Sequence, residues 1–166
     1  MENALGLVLF ILFSGAGLIS LLAAVNLLFP VPVQRTREAL EASFGRAFLL
    51  GLVNGLFILA LAALFLRLGE DSGRVVGAFF VLLLLVLVLG LVIFLVIGLS
   101  AFTRLVGERM GAGKNAFASH LRGGALTVLA GLTPYLGWFV FTPVVLFAGL
   151  GAAIQALIRR KPAPVG

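Results

Sequence analysis

Residues 131–143, GLTPYLGWFVFTP, interrupt an apolar run that extends from Gly123 to Ile158. As a single helix this run would measure roughly 54 Å at about 1.5 Å per residue, whereas about 20 residues are enough to cross a bilayer core. The run is therefore too long for one crossing, and it carries prolines near its middle. We predict that it folds back as a helical hairpin.

The turn of this hairpin is predicted at residues 133–138, TPYLGW. Pro134 cannot continue helical hydrogen bonding, and Gly137 can adopt turn conformations closed to other residues. Tyr135 and Trp138 each combine an apolar ring with a polar group, which is typical of the membrane–water interface. The second arm, 139–158, is long enough to span the membrane, whereas the first arm, 117–133, is either a short span or a re-entrant segment.

The composition of the whole chain agrees with a membrane protein. Of the 166 residues, 62% are hydrophobic and 11% are charged, more apolar surface than a soluble domain of this size can bury. Three further apolar blocks cover about 4–29, 47–66 and 75–102. We predict an all-α polytopic membrane protein that forms a single transmembrane domain over 1–166, with four spans plus a broken helical hairpin, five helices in all.

The positive charges indicate the orientation. If the last run turns back, ten of the twelve Lys and Arg residues lie on one side of the membrane, whereas a single crossing divides them seven to five. The positive-inside rule favours the first arrangement, with the N-terminus outside and the C-terminus cytoplasmic. The ten cytoplasmic residues, predicted to contact anionic lipid headgroups or a protein partner, are Arg35, Arg37, Arg46, Arg104, Arg109, Lys114, Arg122, Arg159, Arg160 and Lys161.

The first cytoplasmic segment has a helical pattern of its own. Val33, Leu40, Phe44 and Phe48 recur close to one stripe of a helix, with charged residues elsewhere around it. The pattern predicts an amphipathic helix that lies on the cytoplasmic leaflet and leads into the second span.

Small residues at helical spacing predict close helix packing. Asn54 lies within a GxxxG pattern, and it favours a hydrogen bond to a neighbouring helix over a polar pathway through the membrane. The small residues of the hairpin arms are expected to let the two arms pack tightly. The predicted packing residues are Gly51, Asn54, Gly55, Gly123, Thr127, Gly131, Gly149 and Ala153.

Several functions are disfavoured by what the sequence lacks. The chain has no cysteine and one histidine, which excludes disulfides and thiolate metal sites and disfavours histidine-based metal or haem sites. The apolar blocks contain no ionisable residue, although proton-coupled transporters usually need one. We predict no catalytic, cofactor-binding or metal-binding residues, and no nucleic-acid partner, because no basic stripe with interleaved aromatics is present.

Two stretches carry a family resemblance. These are LLFPVPVQRTREALEASFGRAFLLGLVNGL, residues 27–56, and LRGGALTVLAGLTPYLGWFVFTPVVLFAGLGAAIQALIRR, residues 121–160. Both resemble the membrane portion of bacterial proteins associated with bactofilins, the polymer-forming cytoskeletal family. The resemblance implies a membrane anchor in the bacterial cytoplasmic (inner) membrane, and it implies no catalytic residues.

The sequence thus favours a non-enzymatic membrane anchor or scaffold whose basic cytoplasmic face binds a partner, with a bactofilin-type polymer as one candidate. The alternatives are a small channel or transporter built around the 131–143 hairpin and an accessory subunit of a larger membrane complex. The predicted partner is either another protein or, in a homo-oligomer, a second copy of the chain.

The orientation can be tested with a reporter fused after Gly166. We expect a cytoplasmic signal, because the charge distribution places the C-terminus inside. A periplasmic signal would refute the hairpin.

Overall fold

The computed structural model describes residues 2–110 and 116–158, and every regular element in them is helical. The chain forms α1 (Glu2–Leu28), α2 (Pro30–Ala42), α3 (Phe44–Asp71), α4 (Arg74–Arg109), α5 (Ala116–Leu132) and α6 (Thr142–Ile158), with a π-helical turn at Gly137–Phe141 that leads into α6. The all-α prediction is confirmed. Within the described residues, four helical segments are long and apolar enough to cross a membrane: Leu9–Leu28, Phe44–Asp71, Arg74–Arg109 and Gly137–Ile158.

The described part of the chain has six α-helices, whereas the sequence analysis predicted five for the transmembrane domain. The sixth is α2, which forms where the amphipathic helix of the first charged segment was predicted and begins at Pro30, where a missing N–H costs no helical hydrogen bond. Helices α3 and α4 also continue beyond the apolar blocks predicted at 47–66 and 75–102. Their ends include Arg, Leu and Glu, which are good helix formers, so both helices extend beyond their apolar blocks.

The direction of each helix follows from which residues meet across the bundle. Gly51 of α3 lies against Phe147 and Gly151 of α6, whereas Ala47, one turn earlier, lies against Gly151, so α3 and α6 are antiparallel. Gly69 and Gly77 meet where α3 turns back into α4, so these two helices are antiparallel as well.

Helix α5 runs opposite to α4. Gly107 of α4 contacts Ser119 of α5, and Thr103, one turn earlier in α4, contacts Gly123, further along α5. Because α3 is antiparallel to both α4 and α6, the chain reverses between α5 and α6, within residues 133–136. Lipid tails are as apolar as leucine side chains, so these close backbone contacts contribute van der Waals packing that lipid cannot match.

Away from the turn, the glycines of the two hairpin arms pack against other helices, not against each other. Gly149 of α6 faces Gly98 of α4, and a Cβ on Gly98 would lie 2.4 Å from the carbonyl carbon of Gly149. Gly123 of α5 faces α4 at Thr103 and Gly107. The expectation that the arms pack tightly on one another is therefore wrong. Small residues of each arm pack against α4 instead.

Helix α2 is held within the bundle. It packs against α4 and α6, and its apolar stripe is buried at Val33, Thr36, Ala39 and Leu40. The predicted helix is present, but its apolar stripe contacts protein; Phe44 lies beyond Ser43, in α3, and is 40% exposed. Helix α2 therefore fixes the entry of α3 against the ends of α4 and α6.

The α3–α6 contact predicts a large effect for a single methyl group. A Cβ on Gly151 would lie 1.9 Å from the carbonyl oxygen of Ala47, which is backbone and cannot rotate away. We expect Gly151→Ala to lower the free energy of unfolding by about 2 kcal/mol or more, since overpacking forces backbone shifts. Thermal unfolding of the purified protein in detergent measures this.

The control is Gly90→Ala, since a Cβ at Gly90 meets nothing within 4 Å. This variant should be neutral or slightly more stable, because alanine is the better helix former. Equal stability of the two variants would contradict the close α3–α6 contact.

Candidate functional site

The turn between α5 and α6 is a tight reversal centred on Tyr135. The N–H of Leu136 donates to the carbonyl oxygen of Pro134 at 2.9 Å, and Tyr135 has a φ of +65°. These features are typical of the classic γ-turn, a rare and strained conformation for an aromatic residue. The predicted turn residues Pro134 and Tyr135 thus lie in the reversal itself.

Gly137 is required for a different reason from the one predicted. Among the described non-glycine residues Tyr135 has the positive φ, whereas Gly137 begins the π-helical turn. A Cβ on Gly137 would lie 2.5 Å from the carbonyl oxygen of Ala130 and 2.6 Å from that of Gly131. Gly137 therefore allows the end of α5 to approach the start of the next helix, and its role is steric.

The π-helical turn has its cause in Pro143. Proline has no N–H, and its ring would clash with the carbonyl of the residue four positions earlier, Phe139, in a regular α-helix. The backbone N–H of Thr142 donates instead to the carbonyl oxygen of Gly137, five residues back. The Thr142 hydroxyl donates to the same oxygen at 2.7 Å. The wider helical turn accommodates the proline without breaking α6.

An apolar cavity of about 330 Å³ lies beside this turn, between α1, α4, α5 and α6. Its polar lining consists of Ser14, Thr127 and Thr142, and the two threonines donate to carbonyl oxygens of their own segment, at Gly123 and Gly137. The lining includes no ionisable side chain, so the cavity favours an uncharged apolar occupant over an ion. The channel or transporter alternative stays a prediction.

The remaining predicted packing residues lie at helix contacts. A Cβ on Gly55 would meet the Phe147 ring at 2.8 Å, and one on Gly131 would lie 3.8 Å from the Thr142 hydroxyl. Ala153 is 4% exposed. Asn54 does not bond a neighbouring helix as expected: its amide donates to the carbonyl oxygen of Leu50, one turn earlier in α3, at 2.8 Å.

The opposite end of the bundle carries an ion-pair cluster that joins α2 to α4. Glu108 receives Arg37 on one carboxylate oxygen at 2.6 Å and Arg104 on the other at 3.0 Å. Arg37 also contacts Glu41 at 3.2 Å. The side chains of Arg37 and Arg104 are only 20% and 25% exposed. Two of the arginines predicted to contact a partner are therefore engaged inside the protein.

Four other predicted arginines remain exposed at this end. Within residues 2–110 and 116–158, none of them takes part in a salt bridge; they are Arg35, Arg46, Arg109 and Arg122. The predicted contacts at Lys114, Arg159, Arg160 and Lys161 lie outside the described residues. The connection from α3 to α4 at the other end carries Arg67 and Arg74 beside Glu70 and Asp71, so its charges cancel.

Sequence reasoning missed two polar contacts that join helices. The amide of Asn26 donates to the carbonyl oxygens of Leu22 at 2.9 Å and Ser100 at 3.3 Å, linking α1 to α4. The bridging role of Glu108 was also missed. No residue spacing could have revealed either contact, because the partners are 74 and 71 positions apart in the chain.

The exposed arginines at this end have the chemistry to bind anions. Among the residues that the structure describes, no group of three or more His, Cys, Asp or Glu side chains could hold a metal ion. No family model, curated protein or solved structure matches the chain.

The Glu108 cluster generates a stability prediction. Glu108→Gln keeps the shape of the side chain but leaves Arg104 without a countercharge and Arg37 with only Glu41 of its own helix. We expect a loss of about 1–2 kcal/mol in the free energy of unfolding. Glu41→Gln is the control, because Glu41 is 47% exposed and its pair with Arg37 lies within α2. It should cost less than about 0.5 kcal/mol.

Thermal unfolding in detergent at low salt compares the two variants. An equal loss from Glu41→Gln would show that Glu108 does not hold α2 against α4.

Proposed function

We propose that this protein is a non-enzymatic scaffold of the bacterial cytoplasmic (inner) membrane that binds an acidic protein partner through its basic end. In this proposal the bundle spans the membrane with its N-terminus outside and its C-terminus in the cytoplasm. The ends of α4 and α6 and the start of α3 then face the cytoplasm. The four long apolar helices support multi-pass insertion.

The observation that carries the proposal is the division of the arginines into two groups. Arg37 and Arg104 share Glu108 and are partly buried. Arg35, Arg109 and Arg122 are exposed and have no salt bridge within the described residues. The arginines that join α2 to α4 are thus neutralised by Glu108, whereas the exposed arginines are available to a partner.

A partner for this surface has to be acidic. Exposed guanidinium groups bind carboxylates through paired hydrogen bonds, and opposite charge on the two surfaces speeds association. The resemblance to bactofilin-associated membrane proteins makes a bactofilin-type polymer one candidate partner. Anionic headgroups of the surrounding lipid would help to orient the same surface.

The test replaces Arg35, Arg109 and Arg122 together with glutamine in the full-length chain. Proteins bound to the membrane scaffold in cells are chemically crosslinked, purified with it and quantified by mass spectrometry. We expect at least one cytoplasmic acidic protein to fall at least about fivefold in the triple variant, since each lost arginine removes a charge-assisted contact. Arg37 is left unchanged because its loss would disturb α2.

The matched control is the pair Arg67→Gln and Arg74→Gln, which removes positive charge from the opposite end. This variant should retain the same acidic protein. Equal recovery with wild type, triple variant and control would overturn the scaffold proposal.

A further inference from the structure

A second polar feature lies on the side of the bundle, where α3 and α6 form a groove of about 580 Å³. Arg46 lies at one end of the groove and Asn54 at the other, about 12 Å further along α3 by helical rise. Leu49, Val53 and Ile158 supply apolar walls, and Gln155 of α6 also lines the groove. The groove is thus lined by one cationic side chain, two amide side chains and an apolar surface.

Gln155 is the unusual member of this group. It is 7% exposed, yet it makes no hydrogen bond within the described residues. One turn away, the backbone contact of Gly151 with Ala47 and Gly51 brings α3 and α6 together. A primary amide without a partner in an apolar surrounding is unfavourable, so the site calls for a ligand that accepts a hydrogen bond.

Arg46 and Gln155 lie at similar depth. The antiparallel contact between Ala47 and Gly151 aligns the start of α3 with the end of α6. Arg46 directly precedes the apolar block that begins at Ala47, and Gln155 lies in the last turn of α6. Both side chains are therefore placed at the boundary between the apolar body and the basic end, which is the level of lipid phosphates in a bilayer.

We propose that this groove binds one anionic glycerophospholipid of the adjacent leaflet. Its phosphate accepts hydrogen bonds from the Arg46 guanidinium and the Gln155 amide, and the first part of an acyl chain lies along Leu49 and Val53. The charge of Arg46 selects an anionic lipid, and the apolar walls select a lipid over a soluble anion. This site goes beyond the scaffold function, which depends on other arginines.

The test uses native mass spectrometry of the purified full-length protein, titrated with phosphatidylglycerol or with phosphatidylcholine of identical chains. We expect one phosphatidylglycerol to bind where phosphatidylcholine does not. Arg46→Gln should weaken that binding at least about fivefold, and Gln155→Leu about threefold or more. Arg46→Lys keeps the charge and should retain most of the binding.

Arg109→Gln is the matched control, since it removes the same charge from the same end and Arg109 does not line the groove. An equal loss with Arg109→Gln would overturn the proposal in favour of diffuse charge attraction. An unchanged affinity with Gln155→Leu would also overturn it.

Two further outcomes would assign the groove to another occupant and so overturn the proposal. Displacement of the lipid by millimolar inorganic phosphate would indicate a site for a free anion. A dimer mass that disappears with Gln155→Leu would indicate that a second copy of the chain fills the groove. Because the protein is purified and no protein partner is present, none of these results depends on the scaffold proposal.

Discussion

Backbone contact at glycine is the constraint on which the rest of this bundle depends. Helix α6 touches α3 at Gly51 and Gly151 and touches α4 at Gly98 and Gly149. In a bilayer, side-chain burial gives little advantage over lipid, so helices associate where their backbones can approach closely. The order of the helices around α6, the alignment of Arg46 with Gln155 and the burial of α2 all follow from these approaches.

The sequence predicts the features that depend on composition and local pattern. Apolar blocks locate the long helices, Pro134 locates the reversal, and the GxxxG pattern at Gly51 locates a close contact. It does not predict which helix meets which, and so the arms of the hairpin were expected to pack on each other when both pack on α4. The role of Gly137 was also misassigned, since a turn glycine and a close-packing glycine look alike until the neighbouring carbonyls are in place.

The candidate sites depend even more on tertiary contacts. The sequence prediction of a cytoplasmic basic surface treats Arg35 and Arg37 alike, although Glu108 pairs with only the second of them. Likewise, Gln155 is one polar residue in an apolar run until α3 brings Arg46 to its level. The sequence identifies which residues are charged or polar. The fold shows which of them pair within the protein and which are available to a ligand.

The position of α2 has a mechanical consequence. Its apolar stripe is buried against α4 and α6, with Val33 fully buried and Leu40 1% exposed, and Arg37 ties it to the end of α4. Arg35 therefore sits on a stiff element and not on a tether. A force applied there would pass directly into the long apolar helices α4 and α6 and would not be absorbed by a flexible linker.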